Sequence, residues 1–138
     1  NEEHDEAKLQ AALETMMETG LVTDGTVAAT ETQMRSVWEL REGIAESLTH
    51  RGYTYKYDIS LPLAEIYPVV ERCRERMGQF PDAFVCGYGH VGDGNLHLNI
   101  VTPEYDKEVM AAIEPWVYEE THRHRGSISA EHGLGFKK

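Results

Sequence analysis

The sequence predicts an α+β fold: a ferredoxin-like split βαβ unit that starts at about residue 53, with two N-terminal helices packed beside it. Apolar and polar side chains alternate in residues 53–60 and 95–101, as they do in strands with one buried face. Apolar side chains recur at helical spacing in residues 63–77 and again after residue 102. The predicted order from residue 53 is therefore strand, helix, strand, strand, helix, strand.

Two helices are expected before residue 53. The first carries Leu9, Leu13 and Met17 four residues apart and ends at Gly20. The second opens with a capping box, Thr-Glu-Thr-Gln at residues 30–33. Its predicted apolar face consists of Met34, Val37, Trp38, Ile44 and Leu48. Arg41 falls on the same face, where an arginine must be paired, point into a polar cavity or extend its charged end to the surface.

The first predicted strand, residues 53–60, places Lys56 and Asp58 on one face and its apolar side chains on the other. A helix is predicted over residues 63–77, ended by Gly78. The apolar run at residues 84–88 is typical of a central strand.

A glycine-rich turn then leads into the strictly alternating residues 95–101. Thr102, Pro103 and Glu104 predict the start of the last helix, because they supply a cap, a proline at the first position and an early acid. Gly126 is expected to end this helix, and residues 127–129 are predicted as a last strand.

The composition excludes several classes of protein. The chain has 138 residues with 13 basic and 24 acidic side chains, a net charge of -11, which argues against binding to nucleic acid or to an anionic membrane surface. No apolar run approaches the roughly 20 residues of a membrane span. The acidic start is neither a signal peptide nor a transit peptide. The two cysteines, Cys73 and Cys86, are expected to be buried thiols.

Residues 89–99 contain the strongest candidates for a functional site: His90 precedes a turn and His97 follows it. Alternation places His97 on one strand face with Asn95 and Asn99. Two imidazoles brought together in this way are suitable ligands for a divalent ion such as zinc, and a catalytic site needs a third protein ligand.

Near the end of the chain, residues 130–133 (Ala-Glu-His-Gly) offer a carboxylate and another imidazole. We expect Glu131 to complete the metal site and His132 to face the substrate as a base. The remaining histidines are expected to have no role in the site: His4, His50, His122 and His124.

These motifs carry a resemblance to a known family. Residues 89–97 (GHVGDGNLH) together with residues 129–135 (SAEHGLG) resemble the paired signature of the C-terminal domain of flavin-linked oxidases. Residues 55–62 (YKYDISLP) and 38–42 (WELRE) are most similar to the branch that oxidises D-2-hydroxyglutarate. The resemblance covers the chain from about Asp24 onward.

The resemblance implies a role for each matching residue. His90, His97 and Glu131 match metal ligands, and His132 matches the catalytic base. Residues that hold the carboxylates of the substrate are matched by Arg41, Lys56 and Asn99.

The resemblance also implies the whole enzyme. Residues 1–138 are expected to form one domain, the substrate- and metal-binding part of a larger FAD-dependent 2-hydroxy-acid dehydrogenase. FAD would be bound mainly by a domain absent from this chain, and the metal is expected to be zinc. The fragment alone is expected to be inactive.

The expected substrate is a 2-hydroxy dicarboxylic acid, oxidised to the 2-oxo acid, with D-lactate or glycolate as alternatives. Electrons would leave through the flavin to an acceptor protein or the quinone pool. We expect a mitochondrial protein if the source is eukaryotic and a cytoplasmic one if it is bacterial, and a homodimer is an open alternative.

Two further classes of function fit the same residues. A stand-alone zinc hydrolase would use the two histidines and Glu131, and would act without a flavin protein. A small-molecule sensor domain would use His90 and His97 only for packing, and its ligand binding would survive removal of metal.

Overall fold

The computed structural model describes residues 2–130, and it confirms the α+β class. Its elements, in chain order, are α1 (Glu2–Glu18), α2 (Glu31–Glu42), α3 (Ile44–Arg51), β1 (Tyr53–Ser60), α4 (Leu63–Met77), β2 (Phe84–His90), β3 (Asn95–Thr102) and α5 (Lys107–Arg123). The described residues divide into two compact units, 2–42 and 43–130. No helix within residues 2–130 is long and apolar enough to cross a bilayer.

The second predicted helix is in fact two helices, α2 and α3, separated at Gly43. Glycine weakens a helix interior, and here it marks the boundary between the two compact units. The start of α2 follows the prediction, since the Thr30 hydroxyl accepts a hydrogen bond from the Gln33 amide at 3.3 Å. The Gln33 side chain accepts one from the Ala29 amide at 2.9 Å. The packing of α1 and α2 beside the sheet stays a prediction.

The sheet has three strands in the order β1-β3-β2, and both neighbouring pairs are antiparallel. The alternating pattern located β1 correctly, while β2 and β3 extend slightly beyond their predicted ends. The predicted last strand at residues 127–129 is wrong: within the described part of the chain this segment forms no strand, and Ser127 makes an isolated antiparallel bridge to Ser60. The Ser127 hydroxyl instead bonds locally, donating to the Ser129 carbonyl at 2.9 Å, which competes with strand pairing.

The hydrophobic core lies between one face of the sheet and the helices α4 and α5. Ile59, Leu98, Ile100, Ile113 and Val117 are each fully buried there. Each buried side chain of this size stabilises the fold by roughly 1.5–3 kcal/mol relative to exposure. At one end of the opposite face, the guanidinium of Arg51 at the end of α3 lies 4.3 Å from the ring centroid of Phe84. Polar side chains occupy the other end of that face.

The start of α5 differs from the prediction. Thr102 is the last residue of β3 and pairs with Tyr53, so it is not a helix cap. The cap is Asp106, whose carboxylate accepts hydrogen bonds from the amides of Glu108 at 2.7 Å and Val109 at 3.5 Å. Threonine and aspartate are both favoured at the start of a helix. Because Thr102 is held in β3 by strand pairing, Asp106 takes the cap position. The helix also ends earlier than Gly126, at Arg123.

A buried carboxylate joins the two core helices. Glu120 of α5 is 1% exposed, and it forms ion pairs with Arg72 of α4 and with Arg123. His124 lies 3.3 Å from the same carboxylate and 3.3 Å from Glu65 of α4. This cluster gives His124 a structural partner, and it secures the end of α5 from which the chain continues toward residue 127.

Candidate functional site

The face of the sheet opposite the core carries aligned polar side chains, which we call the polar face. Antiparallel pairing sets its rows across β1, β3 and β2. The three rows are Lys56, Asn99 and Cys86; Asp58, His97 and Tyr88; and Ser60, Asn95 and His90. Residues far apart in the chain therefore become neighbours, because strands lie about 4.8 Å apart and alternate side chains share a face.

His90 and His97 lie in adjacent rows, as the sequence predicted. Their ring centroids are 5.3 Å apart and their planes are inclined at 80°. Two imidazoles that bind one tetrahedral ion through nitrogens at about 2.0–2.1 Å have ring centroids about 5 Å apart, by simple geometry. The separation therefore fits two histidine ligands of one zinc-like ion.

Asp58 contacts the imidazole of His97 from the neighbouring strand. Its Oδ1 lies 3.3 Å from Nδ1 of His97, and both side chains are about one-fifth exposed (21% each). A carboxylate at Nδ1 favours the tautomer with the proton there, which leaves Nε2 as a lone-pair donor. On the opposite side of His97, the ring centroid of Tyr88 lies 5.1 Å from the ring centroid of His97.

Two asparagines of β3 are almost fully buried on this face, each 3% exposed. The Asn99 side-chain amide donates to the His97 carbonyl at 3.1 Å. Neither side-chain polar atom of Asn95 has a hydrogen-bond partner among the described residues. A buried amide without partners is costly, so this position calls for a polar group that the described part of the chain does not supply.

The turn between the two histidines is fixed by contact with the chain after β1. Gly94 has a φ of 75°, and a Cβ there would lie 2.4 Å from the Leu61 carbonyl oxygen. That close approach allows the Leu61 amide to donate to the Gly94 carbonyl at 2.9 Å. The turn is therefore held in place, and His90 and His97 are held with it.

Of the other predicted site residues, the structure brings two together and leaves the placement of the rest as a prediction. Lys56 is exposed and lies directly opposite the buried Asn99, so these two do come together. Arg41 is in the last turn of α2, in the other compact unit, and its convergence with them stays a prediction. Glu131 and His132 lie outside the described residues. Within residues 2–130, no group of three or more His, Cys, Asp or Glu side chains is arranged to hold a metal ion.

The sequence analysis assigned no role in this site to three residues. Asp58 and Tyr88 flank His97, and Asn95 lies beside His90 with unsatisfied polar atoms. Alternation had placed Asp58 on the face of Lys56, but only the register between β1 and β3 reveals its partner.

The two thiols differ in access, which gives a testable consequence. Burial raises the pKa of Cys73 to about 12, and it also raises the pKa of Cys86, which is only partly buried on the polar face. Since the thiolate is the reactive form, a disulfide reagent at pH 8 is expected to label Cys86 slowly in the native protein and Cys73 only after unfolding. The Cys86→Ser variant should then show no labelling before denaturant is added. Native-state labelling of that variant would contradict the burial of Cys73.

The sequence of this chain matches one protein family and several known dehydrogenases. The sequence profile of "FAD linked oxidases, C-terminal domain" matches residues 1–138. A mitochondrial D-2-hydroxyglutarate dehydrogenase of Danio rerio is 58% identical over 138 residues, covering 100% of this chain and 26% of that protein. The protein of the same name in Arabidopsis thaliana is 54% identical, covering 100% and 24%. A putative mitochondrial D-lactate dehydrogenase of Schizosaccharomyces pombe is 49% identical over 148 residues, covering 100% and 28%. The chain thus spans about a quarter of the length of these relatives.

Proposed function

The chain belongs to the family of FAD-linked oxidase C-terminal domains, and on that premise we propose that it is the substrate- and metal-binding domain of a flavin-dependent dehydrogenase of D-2-hydroxy acids. The observation that carries the proposal is the pairing of His90 with His97 on a face that also bears Lys56 and Asn99. This places candidate metal ligands next to groups suited to a carboxylate. FAD would supply the two-electron chemistry that these side chains cannot.

The proposed metal ligands are His90, His97 and Glu131. Support comes from the 5.3 Å separation of the two rings and from the carboxylate at Nδ1 of His97. Such a carboxylate commonly orients a metal-binding histidine. A divalent ion held there, zinc in our proposal, would act as a Lewis acid on the substrate's hydroxyl and carboxylate oxygens.

The Ser127–Ser60 bridge supports the proposed place of Glu131 and His132. Two hydrogen bonds, of 2.9 and 3.0 Å, hold Ser127 at the end of β1, in line with Asn95 and His90. A Cβ on the adjacent Gly126 would lie 2.2 Å from the Ser60 carbonyl oxygen, so the approach is as close as a glycine permits. Glu131 follows Ser127 by four residues, a reach of up to about 13 Å, whereas β3 is two strand spacings away, or about 10 Å.

In the proposed reaction, this chain binds the acid and removes a proton. Lys56 and Arg41 would hold the carboxylates, the arginine through a two-point contact suited to its planar fork. Asn99 lies in the row of Lys56 and would orient the substrate beside it. His132 would accept the proton of the C2 hydroxyl as general base, with FAD as the acceptor of the C2 hydride, and the product would be a 2-oxo acid.

The proposed substrate is D-2-hydroxyglutarate, since two cationic side chains suit a dicarboxylate and the Danio rerio and Arabidopsis thaliana relatives bear that name. D-lactate is the second candidate because of the name of the Schizosaccharomyces pombe relative. We propose a mitochondrial location if the source is eukaryotic, as these relatives are named mitochondrial.

The proposal is tested with the full-length protein that carries this chain. Reduction of a dye acceptor is measured with D-2-hydroxyglutarate, D-lactate and glycolate, before and after treatment with a chelator. We expect the highest kcat/KM with D-2-hydroxyglutarate, loss of the rate with the chelator and its recovery with Zn²⁺ or Mn²⁺. Metal-dependent hydrolysis without flavin would favour the hydrolase alternative, and acid binding that survives chelation without any turnover would favour the sensor alternative.

A further inference from the structure

We infer that Asp58 is a positioning residue that fixes the orientation and the protonated nitrogen of His97. The inference rests on the proposed metal site, because it concerns how one of its ligands is prepared. Asp58 is in β1 and His97 is directly opposite it in β3, on the same face of the sheet. Their contact joins Oδ1 to Nδ1 at 3.3 Å.

The simplest alternative is an ordinary cross-strand ion pair, which contributes about 0–1 kcal/mol when exposed. Two features distinguish this contact from one. Both side chains are only 21% exposed, so water competes weakly for the carboxylate. The imidazole is also enclosed by Tyr88 and His90, with ring centroids 5.1 and 5.3 Å away. An imidazole with neighbours on three sides is restricted to few orientations.

The chemistry of the ring then gives the contact its function. A neutral imidazole carries one proton, so a carboxylate that accepts from Nδ1 leaves the lone pair on Nε2. A carboxylate beside Nδ1 also makes the ring a stronger donor to a metal ion. Without Asp58, His97 would divide between two tautomers, only one of which is competent through Nε2.

Register explains why Asp58 rather than another carboxylate has this role. Lys56 and Ser60, the neighbours of Asp58 on its face, are opposite Asn99 and Asn95. Asp58 is thus the one acidic side chain that β1 presents beside His97. The arrangement is built into the strand pairing and does not depend on a loop.

The test measures zinc affinity and the His97 tautomer in this chain for Asp58→Ala, Asp58→Asn and Asp58→Glu. Affinity is obtained by competition with a chromophoric chelator, and the tautomer by ¹⁵N NMR of the metal-free protein. We expect Asp58→Ala to bind Zn²⁺ about 10–100-fold more weakly and to lose the single Nδ1-protonated tautomer, and Asp58→Glu to recover most of both. Asp58→Asn keeps the shape without the charge and serves if the alanine variant does not fold. Asp82→Asn, an exposed carboxylate in the α4–β2 loop, is the matched control.

The outcomes separate this inference from the proposed function. If Asp58→Ala binds zinc as the parent does and His97→Ala does not, Asp58 is only a surface ion pair and the metal site stands. If the parent itself binds no zinc, the proposed metal site fails. In that case the tautomer spectra alone decide the inference, and an unchanged His97 spectrum in Asp58→Ala would overturn it.

Discussion

Replacing His132 with alanine in the full-length protein is expected to lower kcat by roughly 10²–10⁴-fold, the usual effect of removing a general base. The C2 hydroxyl of the substrate is far too weak an acid to lose its proton unaided at neutral pH. His132 would act on the bound acid without holding it, so KM should change little. Stopped-flow measurement of flavin reduction isolates this step from the reaction with the electron acceptor.

The matched control for this variant is His122→Ala, an exposed histidine in the last turn of α5. Its rate should equal that of the parent. Added imidazole should restore part of the rate of His132→Ala, because a free base in solution can replace the proton acceptor that the variant lacks. A near-normal rate of flavin reduction in His132→Ala would remove His132 from the role of base.

Replacing His97 with alanine is expected to weaken zinc binding by more than about 100-fold, since losing even an outer partner of a metal ligand costs about 10–100-fold. Metal content after dialysis should fall from about one equivalent per chain to nearly none. His97 lies on the polar face and is not part of the hydrophobic core cluster, so the secondary structure should be kept. Circular dichroism and metal analysis on the same sample check both statements.

His50→Ala is the control for this second variant. His50 is on α3, and its side chain is 78% exposed. Its replacement should leave the zinc content unchanged. If His97→Ala retained a full equivalent of tightly bound zinc, the ion would have to be bound elsewhere, and the proposed role of the His90–His97 pair would be refuted.

Local patterns in the sequence predicted the central elements well. Alternation over residues 53–60 and the helical spacing up to Met77 predicted β1 and α4 correctly, since Gly52 precedes β1, Gly78 follows α4 and the apolar faces of both elements are buried. The errors arose at positions where contacts with residues far away in the sequence determine the local structure. Thr102 is a favoured helix cap in isolation, but pairing with Tyr53 keeps it in β3. Gly43 separates two helices that a continuous apolar spacing had joined.

The candidate site was also predictable where it depends on residues close together in the sequence. The spacing of His90 and His97 around a glycine turn predicted their proximity, which the structure confirms. The partner of Asp58 depends on the register between β1 and β3, two strands separated by a helix and a third strand. Local patterns carry little information on such a register, and so the sequence did not reveal this contact.

The central strand β3 serves the core with one face and the site with the other. Shifting its pairing by a single residue would drive Asn95, His97 and Asn99 into the apolar interior and expose the three buried side chains between and after them. Slippage that destroyed the histidine pair would therefore also destroy the core. A molecule of this chain that retains its native stability has its histidines aligned, so loss of zinc binding at unchanged stability would report a chemical lesion in the site and not a misfolded sheet.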